Sequence, residues 1–152
     1  MLEDRLKEMG YELPEAATPS FQYVPVTVHN GVAYVSGQMP KVDGEVRTFG
    51  KVGAEVSFED AQDAARICIL QGLACLVDAI GGSQNIEKVL KVNGYVASAP
   101  GFNAQPKVLD AASYLLVEAL GDAGRHARAA VGVAELPRNA PVEIEMTVAV
   151  RS

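Results

Sequence analysis

Histidine and cysteine are scarce in this chain, basic residues are outnumbered by acidic ones, and no long apolar run occurs. Each shortage removes a class of function. The two histidines and two cysteines show no metal-ligand spacing, so no metal centre is expected. Cys68 and Cys75 share one face of a helical pattern but lie about 10 Å apart along its axis, too far to bridge. They read as small buried hydrophobes. Thirteen Lys and Arg against nineteen Asp and Glu leave a net charge of −6, which repels a nucleic-acid backbone unless the cations cluster. The densest basic region, Arg125, His126, Arg128 and Arg138, is interspersed with Asp122, Glu135 and Glu143. A DNA partner is therefore not expected, and the same charge speaks against RNA.

No apolar stretch approaches the roughly 20 residues needed to cross a bilayer, and the start, MLEDRLKEMGYELPE, is charged rather than signal-like. The expectation is a soluble, cytoplasmic protein with no membrane partner. Gly50-Lys51-Val52-Gly53 lacks the spacing of a phosphate loop.

What the chain does hold, 152 residues that are 49% hydrophobic, suits one domain with a core. That domain is expected to span 1–152, with 1–19 as an N-terminal extension. In the extension, Leu2, Leu6 and Met9 suggest a short amphipathic helix ended by Gly10, peripheral to the domain. A linker follows from Pro14 to Pro19. Tyr23–Val28 and Val32–Gly37 flank His29-Asn30-Gly31, a hairpin signal because Asn-Gly tolerates positive φ. Three glycines between Val42 and Gly53 predict a loop with a short strand at most. Ser57 caps a long helix, with Asp60 three residues on, that runs to Gly81-Gly82. Ile86–Ala99 reads as a strand and Pro106–Leu120 as a helix stopped by Gly121. Strands over Arg128–Glu135 and from Val142 onward complete the order ββ, α, β, α, ββ. The fold class is α+β, a mixed or antiparallel sheet with both helices on one face.

From Val142 onward, apolar residues alternate with Glu143, Glu145, Thr147, Ala149 and Arg151, so Glu143 points away from the helices. Arg128, Ala130, Gly132 and Ala134 share a face of their own strand, where small side chains leave room beside the arginine. A strand arginine also has a bland use, as an ion pair across the sheet with Glu143 or Glu145. His126 reads as structural or solvated, His29 as a hairpin tip, and Glu143 with Glu145 as strand alternation rather than metal ligands. Gly37 suits either a bulge or the edge of a cleft.

The stretch Ala127–Glu145, ARAAVGVAELPRNAPVEIE, carries Arg128, Val131, Val133, Leu136, Pro137 and then Val142-Glu143-Ile144-Glu145, and Ser36-Gly37-Gln38-Met39-Pro40 precedes it upstream. In these motifs the chain resembles the RidA, or YjgF-like, family, in a branch with a V-L-x-A-A-x-x-L-L-V-E helix that is labelled as endoribonuclease L-PSP or chorismate-mutase-like. The resemblance covers Tyr23 to Arg151. It implies a fold like that of the chorismate mutase of bacilli, assembled as a trimeric barrel with ligand clefts between subunits of a homotrimer. It also implies hydrolysis of enamines and imines to keto acids and ammonia, with no metal or cofactor. Arg128 would hold the carboxylate of a small metabolite, Glu143 would activate water, and Tyr23 and Gly37 would border the ligand. Asp110 stands where an asparagine is common and is counted with the binding residues. Ala129-Ala130 replaces the family's Ser-Cys, which together with Asp110 leaves the substrate open. The alternatives are a non-catalytic binding or protective protein using the same cleft and, third, an endoribonuclease.

Overall fold

Alternation along the last strand organises the molecule. In the computed structural model, which describes residues 1–18 and 22–151, Val142, Ile144, Met146, Val148 and Val150 are all buried, and every residue between them is half-buried. The buried row lies under α2 (Phe58–Ile80), and α3 (Gln105–Leu120) packs beside α2 over the neighbouring strands of the same face. The strand itself, β7 (Val142–Val150), sits in the middle of a five-stranded sheet ordered β1 (Val26–His29), β2 (Val32–Gln38), β7, β5 (Ile86–Ala97), β6 (Ala127–Val133). Neighbours are antiparallel except β5 and β6, which run parallel and are joined through α3. The sheet is mixed and the fold is α+β, as the element order predicts.

Local chemistry explains the element ends. Asn30 and Gly31, with φ of 49° and 75°, turn β1 into β2. Ser57 Oγ accepts from the Asp60 amide at 3.1 Å to start α2, and Gly81 ends it in the left-handed region at φ 81°. Gly94 lets α3 close on β5, because a Cβ there would stand 2.4 Å from Leu109 Cδ1. Each large aliphatic side chain buried this way contributes about 1.5–3 kcal/mol.

Several expected boundaries move. The first hairpin strand begins at Val26 rather than Tyr23, since Pro25 has no N–H to give a ladder. Bonds from Ser36 N to the Pro25 carbonyl (2.8 Å) and from Ser36 Oγ to the Val24 carbonyl (3.0 Å) still tie that segment to β2. The glycine-rich loop holds a small separate hairpin, β3 (Lys41–Val42) and β4 (Glu45–Val46). Strand β6 stops at Val133, short of Glu135, before a turn in which Arg138 and Asn139 both take positive φ.

The largest correction concerns the N-terminal helix. Helix α1 (Leu2–Glu8) is not peripheral: Leu6 is fully buried and Leu2 nearly so, both within the main core. Arg5 Nη2 donates to the Glu118 carbonyl of α3 at 3.0 Å, and Ser83 Oγ donates to Glu3 Oε2 at 2.7 Å. The helix is thus fastened to α3 from its middle and to the turn after α2 from its first turn. The end of the expected Pro14–Pro19 linker lies outside the described residues.

Candidate functional site

The face of the sheet opposite the helices carries a polar centre. Glu143 and Glu145 of β7 stand there with Asn93 and Tyr95 of β5, which the β5–β7 register sets opposite them. Glu145 Oε1 accepts from Tyr95 Oη at 2.7 Å and from Asn93 Nδ2 at 3.2 Å. That bond, followed by burial, raises the Tyr95 phenol above its usual range, so the phenol stays a donor.

Glu143 differs. Among the described residues it accepts no hydrogen bond, and partial burial, with the Glu145 charge second, raises its carboxyl above the ordinary range. Room beside it is made by β2, whose register slips between Val35 and Gln38. The bulge brings Gly37 over the carboxylate, where a Cβ would lie 2.7 Å from Glu143 Oε2. Of the two readings of Gly37, the structure shows the bulge. A half-desolvated carboxylate without donors is poised to take a proton.

Arg128 lies on the other side of the sheet. The parallel register pairs it with buried Val92, and its guanidinium reaches α3, where Nη1 donates to Asp110 Oδ1 at 2.9 Å and to Ser113 Oγ at 3.1 Å. The expected bland partner, Glu143 or Glu145, is thus replaced by Asp110. Side-chain exposures of 22% for Arg128 and 63% for Asp110 make this a partly solvated pair, worth roughly 0.2–1 kcal/mol. Ala130, beside Arg128 on the same face, packs against the core. One chain therefore brings Arg128 to Asp110, and Gly37 to Glu143, but does not bring the two pairs together. Tyr23 is exposed and lies outside β1.

Sequence reasoning missed Asn93, Tyr95 and Ser113. A signal existed for each: Asn93 and Tyr95 are polar at i, i+2 in a valine-rich strand, and Ser113 is one helical turn from Asp110. Of the two readings of His126, structural or solvated, the structure favours the first, with both ring nitrogens in use, toward Ser113 Oγ (2.8 Å) and the Gly124 carbonyl (2.6 Å). Cys68 and Cys75 are buried free thiols, and burial pushes both pKa values up. Among the described residues no group of three His, Cys, Asp or Glu is placed to hold a metal ion, and no helix is long and apolar enough to cross a membrane. Surface cavities of about 320 and 610 Å³ lie elsewhere, the first beside Tyr114 of α3 and the second beside Lys41 of β3.

Comparison with known proteins places this geometry. Protein TCP17 of Trypanosoma cruzi is 40% identical over 144 residues, 94% of this chain and 90% of that protein. The crystal structure of Atu1372 from Agrobacterium tumefaciens, a protein described as of unknown function, superposes with a TM-score of 0.91 at 45% identity, covering 98% of this chain and 91% of that one. A Shewanella oneidensis protein solved as "a putative endoribonuclease" superposes at 0.93 with 30% identity, covering 98% and 99%. The family model described as "YjgF/chorismate_mutase-like, putative endoribonuclease" matches residues 3–147, which include most of α1, the Gly37 bulge, Arg128 and Glu143. With that match running over nearly the whole chain, this chain belongs to the YjgF/chorismate-mutase-like family.

Proposed function

We propose that the protein hydrolyses small 2-imino acids, or the enamines in equilibrium with them, to 2-keto acids and ammonia in clefts between copies of the chain. The observation that carries this reading is Glu143, a half-buried carboxylate with a raised pKa and no donor among the described residues, under a bulge that leaves space above it. The Arg128 guanidinium holds the ligand carboxylate. Glu143 accepts a proton as water adds to the carbon of the protonated imine, and returns it to the nitrogen of the resulting carbinolamine as the C–N bond breaks and ammonia departs, the hydroxyl proton passing to solvent as the carbonyl forms. Atoms balance with one water consumed, and the chain's own side chains supply the proton transfer.

Two further observations support a site shared between copies of the chain, which we take to be those of a homotrimer. Arg128 and Glu143 face opposite sides of one sheet, so joining them takes Arg128 of one copy and Glu143 of another. The open face also leaves Tyr34 and Val131 53% and 46% exposed around its polar centre, apolar surface that a second sheet would cover. The binding-only alternative uses the same cleft and differs from this reading only in turnover. A pure binder would take up 2-oxobutyrate without accelerating imine hydrolysis.

The test generates 2-iminobutyrate in situ and follows 2-oxobutyrate release with wild-type protein, Arg128→Ala, Glu143→Gln and a refolded one-to-one mixture of the two variants. Wild-type acceleration, near-silence of each variant alone, and recovery of about a quarter of wild-type activity in the mixture are expected, since random assembly pairs two intact residues at that share of interfaces. Absence of recovery would exclude the shared cleft, and an inert wild type would exclude the activity.

A further inference from the structure

All the protein bonds of the Arg128 side chain are made by one nitrogen. Nη1 donates to both Asp110 Oδ1 and Ser113 Oγ, while Nε and Nη2 have no partner among the described residues. The bonds beyond Ser113 have a direction that can be worked out. His126 Nδ1 lies 2.6 Å from the Gly124 carbonyl, and a carbonyl only accepts, so Nδ1 carries the hydrogen. In the neutral ring Nε2 is then an acceptor, and it takes the hydroxyl hydrogen of Ser113 across 2.8 Å. With its hydrogen committed to His126, Ser113 presents only lone pairs to Arg128. The series ends on Gly124, a buried residue of the 3₁₀ turn Gly121–Gly124 that follows α3.

We propose that Asp110, Ser113 and His126 are positioning residues that fasten Arg128 through Nη1 and so present its Nε–Nη2 edge to the ligand carboxylate. The inference rests on the reading of Arg128 as the carboxylate clamp, and it says which edge of the guanidinium is the clamp and what aims it. An edge carrying two parallel N–H groups is the one that matches a carboxylate bidentately. Fastening the opposite corner removes rotamer freedom before the ligand arrives, so less is lost on binding. The two anchors have different electrical consequences. Ser113, backed by His126, is neutral and only aims the group. Asp110 aims it and also sets a negative charge close to the incoming anion, which weakens capture.

These roles predict changes of opposite sign, which a merely structural role would not produce. In the 2-iminobutyrate assay Ser113→Ala raises KM about 5-fold, the effect of one lost hydrogen bond, with kcat held within about twofold, and Ser113→Thr restores the wild-type KM. Asp110→Asn keeps an oxygen for Nη1 but removes the charge, and lowers KM about 3-fold. A second readout needs no turnover. The Arg128 Nε–H resonance, assigned by its loss in Arg128→Ala, is expected to shift on titration with 2-oxobutyrate in the wild type, with a midpoint about 5-fold higher in Ser113→Ala. An active wild type whose KM and titration midpoint are unmoved by Ser113→Ala would overturn the positioning role and leave the proposed activity standing. A wild type that neither hydrolyses 2-iminobutyrate nor shifts this resonance with 2-oxobutyrate would overturn the carboxylate clamp itself, and the inference with it.

Discussion

The two faces of β7 are made from one nine-residue strand and have opposite fates. On the helix side, five aliphatic or thioether side chains are buried beneath the helix layer, with α2 directly over the strand. On the open side, Glu143, Glu145 and Thr147 keep partial solvent contact, and one carboxylate is left without a hydrogen-bond donor among the described residues. The first face is optimised for burial, and the second tolerates a group that costs stability. Residues retained against a stability cost are where function is to be sought.

The sharpest way to break this comparison is to remove the charge of Glu143 while preserving its shape. Glu143→Gln is expected to lower kcat for 2-iminobutyrate hydrolysis by about 10²–10⁴, the range for a general base, while 2-oxobutyrate still binds through Arg128. A variant with full kcat would move the chemistry away from the open face altogether. Because the carboxylate must be ionised to accept the proton, wild-type activity should also fall on the acid side, at a pH above the ordinary carboxylate range given its raised pKa.

The helix side makes the complementary prediction. Leu6→Ala is expected to destabilise the protein by about 2–4 kcal/mol, because Leu6 is fully buried in the shared core. Thr147→Val on the open face should change stability by less than about 0.5 kcal/mol. Chemical denaturation of both variants checks the pair. Equal effects would mean that α1 is the loosely attached addition its sequence suggests.

That case shows where the chain could be read and where it could not. Period-two alternation in β7, the Ser57 cap and the Asn30-Gly31 turn are local signals, and each element formed as local chemistry demands. Leu2 and Leu6 mark an apolar stripe just as clearly, but a stripe does not name its partner. What covers it, α3 and the turn after α2, lies some 80–115 residues away in the chain. The Arg128–Asp110 pair was out of reach for the same reason. It depends on the parallel β5–β6 register, which sets the arginine over α3 rather than across from Glu143. Glu143 itself was placed on the correct face by alternation alone. Its neighbours Asn93, Tyr95 and Gly37 required knowing which strands flank β7, and where β2 bulges.

The smallest effect tests the cost of Glu143 directly. A carboxyl whose pKa is raised on folding binds its proton more tightly in the folded state than in the unfolded one. Its contribution is therefore most favourable below the unfolded pKa of about 4.3, and is lost as pH rises through the higher folded value. Gln cannot ionise and pays no such penalty. The stability difference between Glu143→Gln and wild type should thus be smallest near pH 4 and grow in favour of the variant as pH rises, levelling off once Glu143 is ionised in the folded protein. A Tm gain of roughly 2–4 °C at neutral pH is expected, measured by paired thermal melts across pH. The same titration then drives activity and stability in opposite directions, since ionisation enables the base and destabilises the fold. A Tm difference that is flat with pH would mean that a direct partner in the assembled protein, Arg128 of a neighbouring copy included, offsets the burial of Glu143.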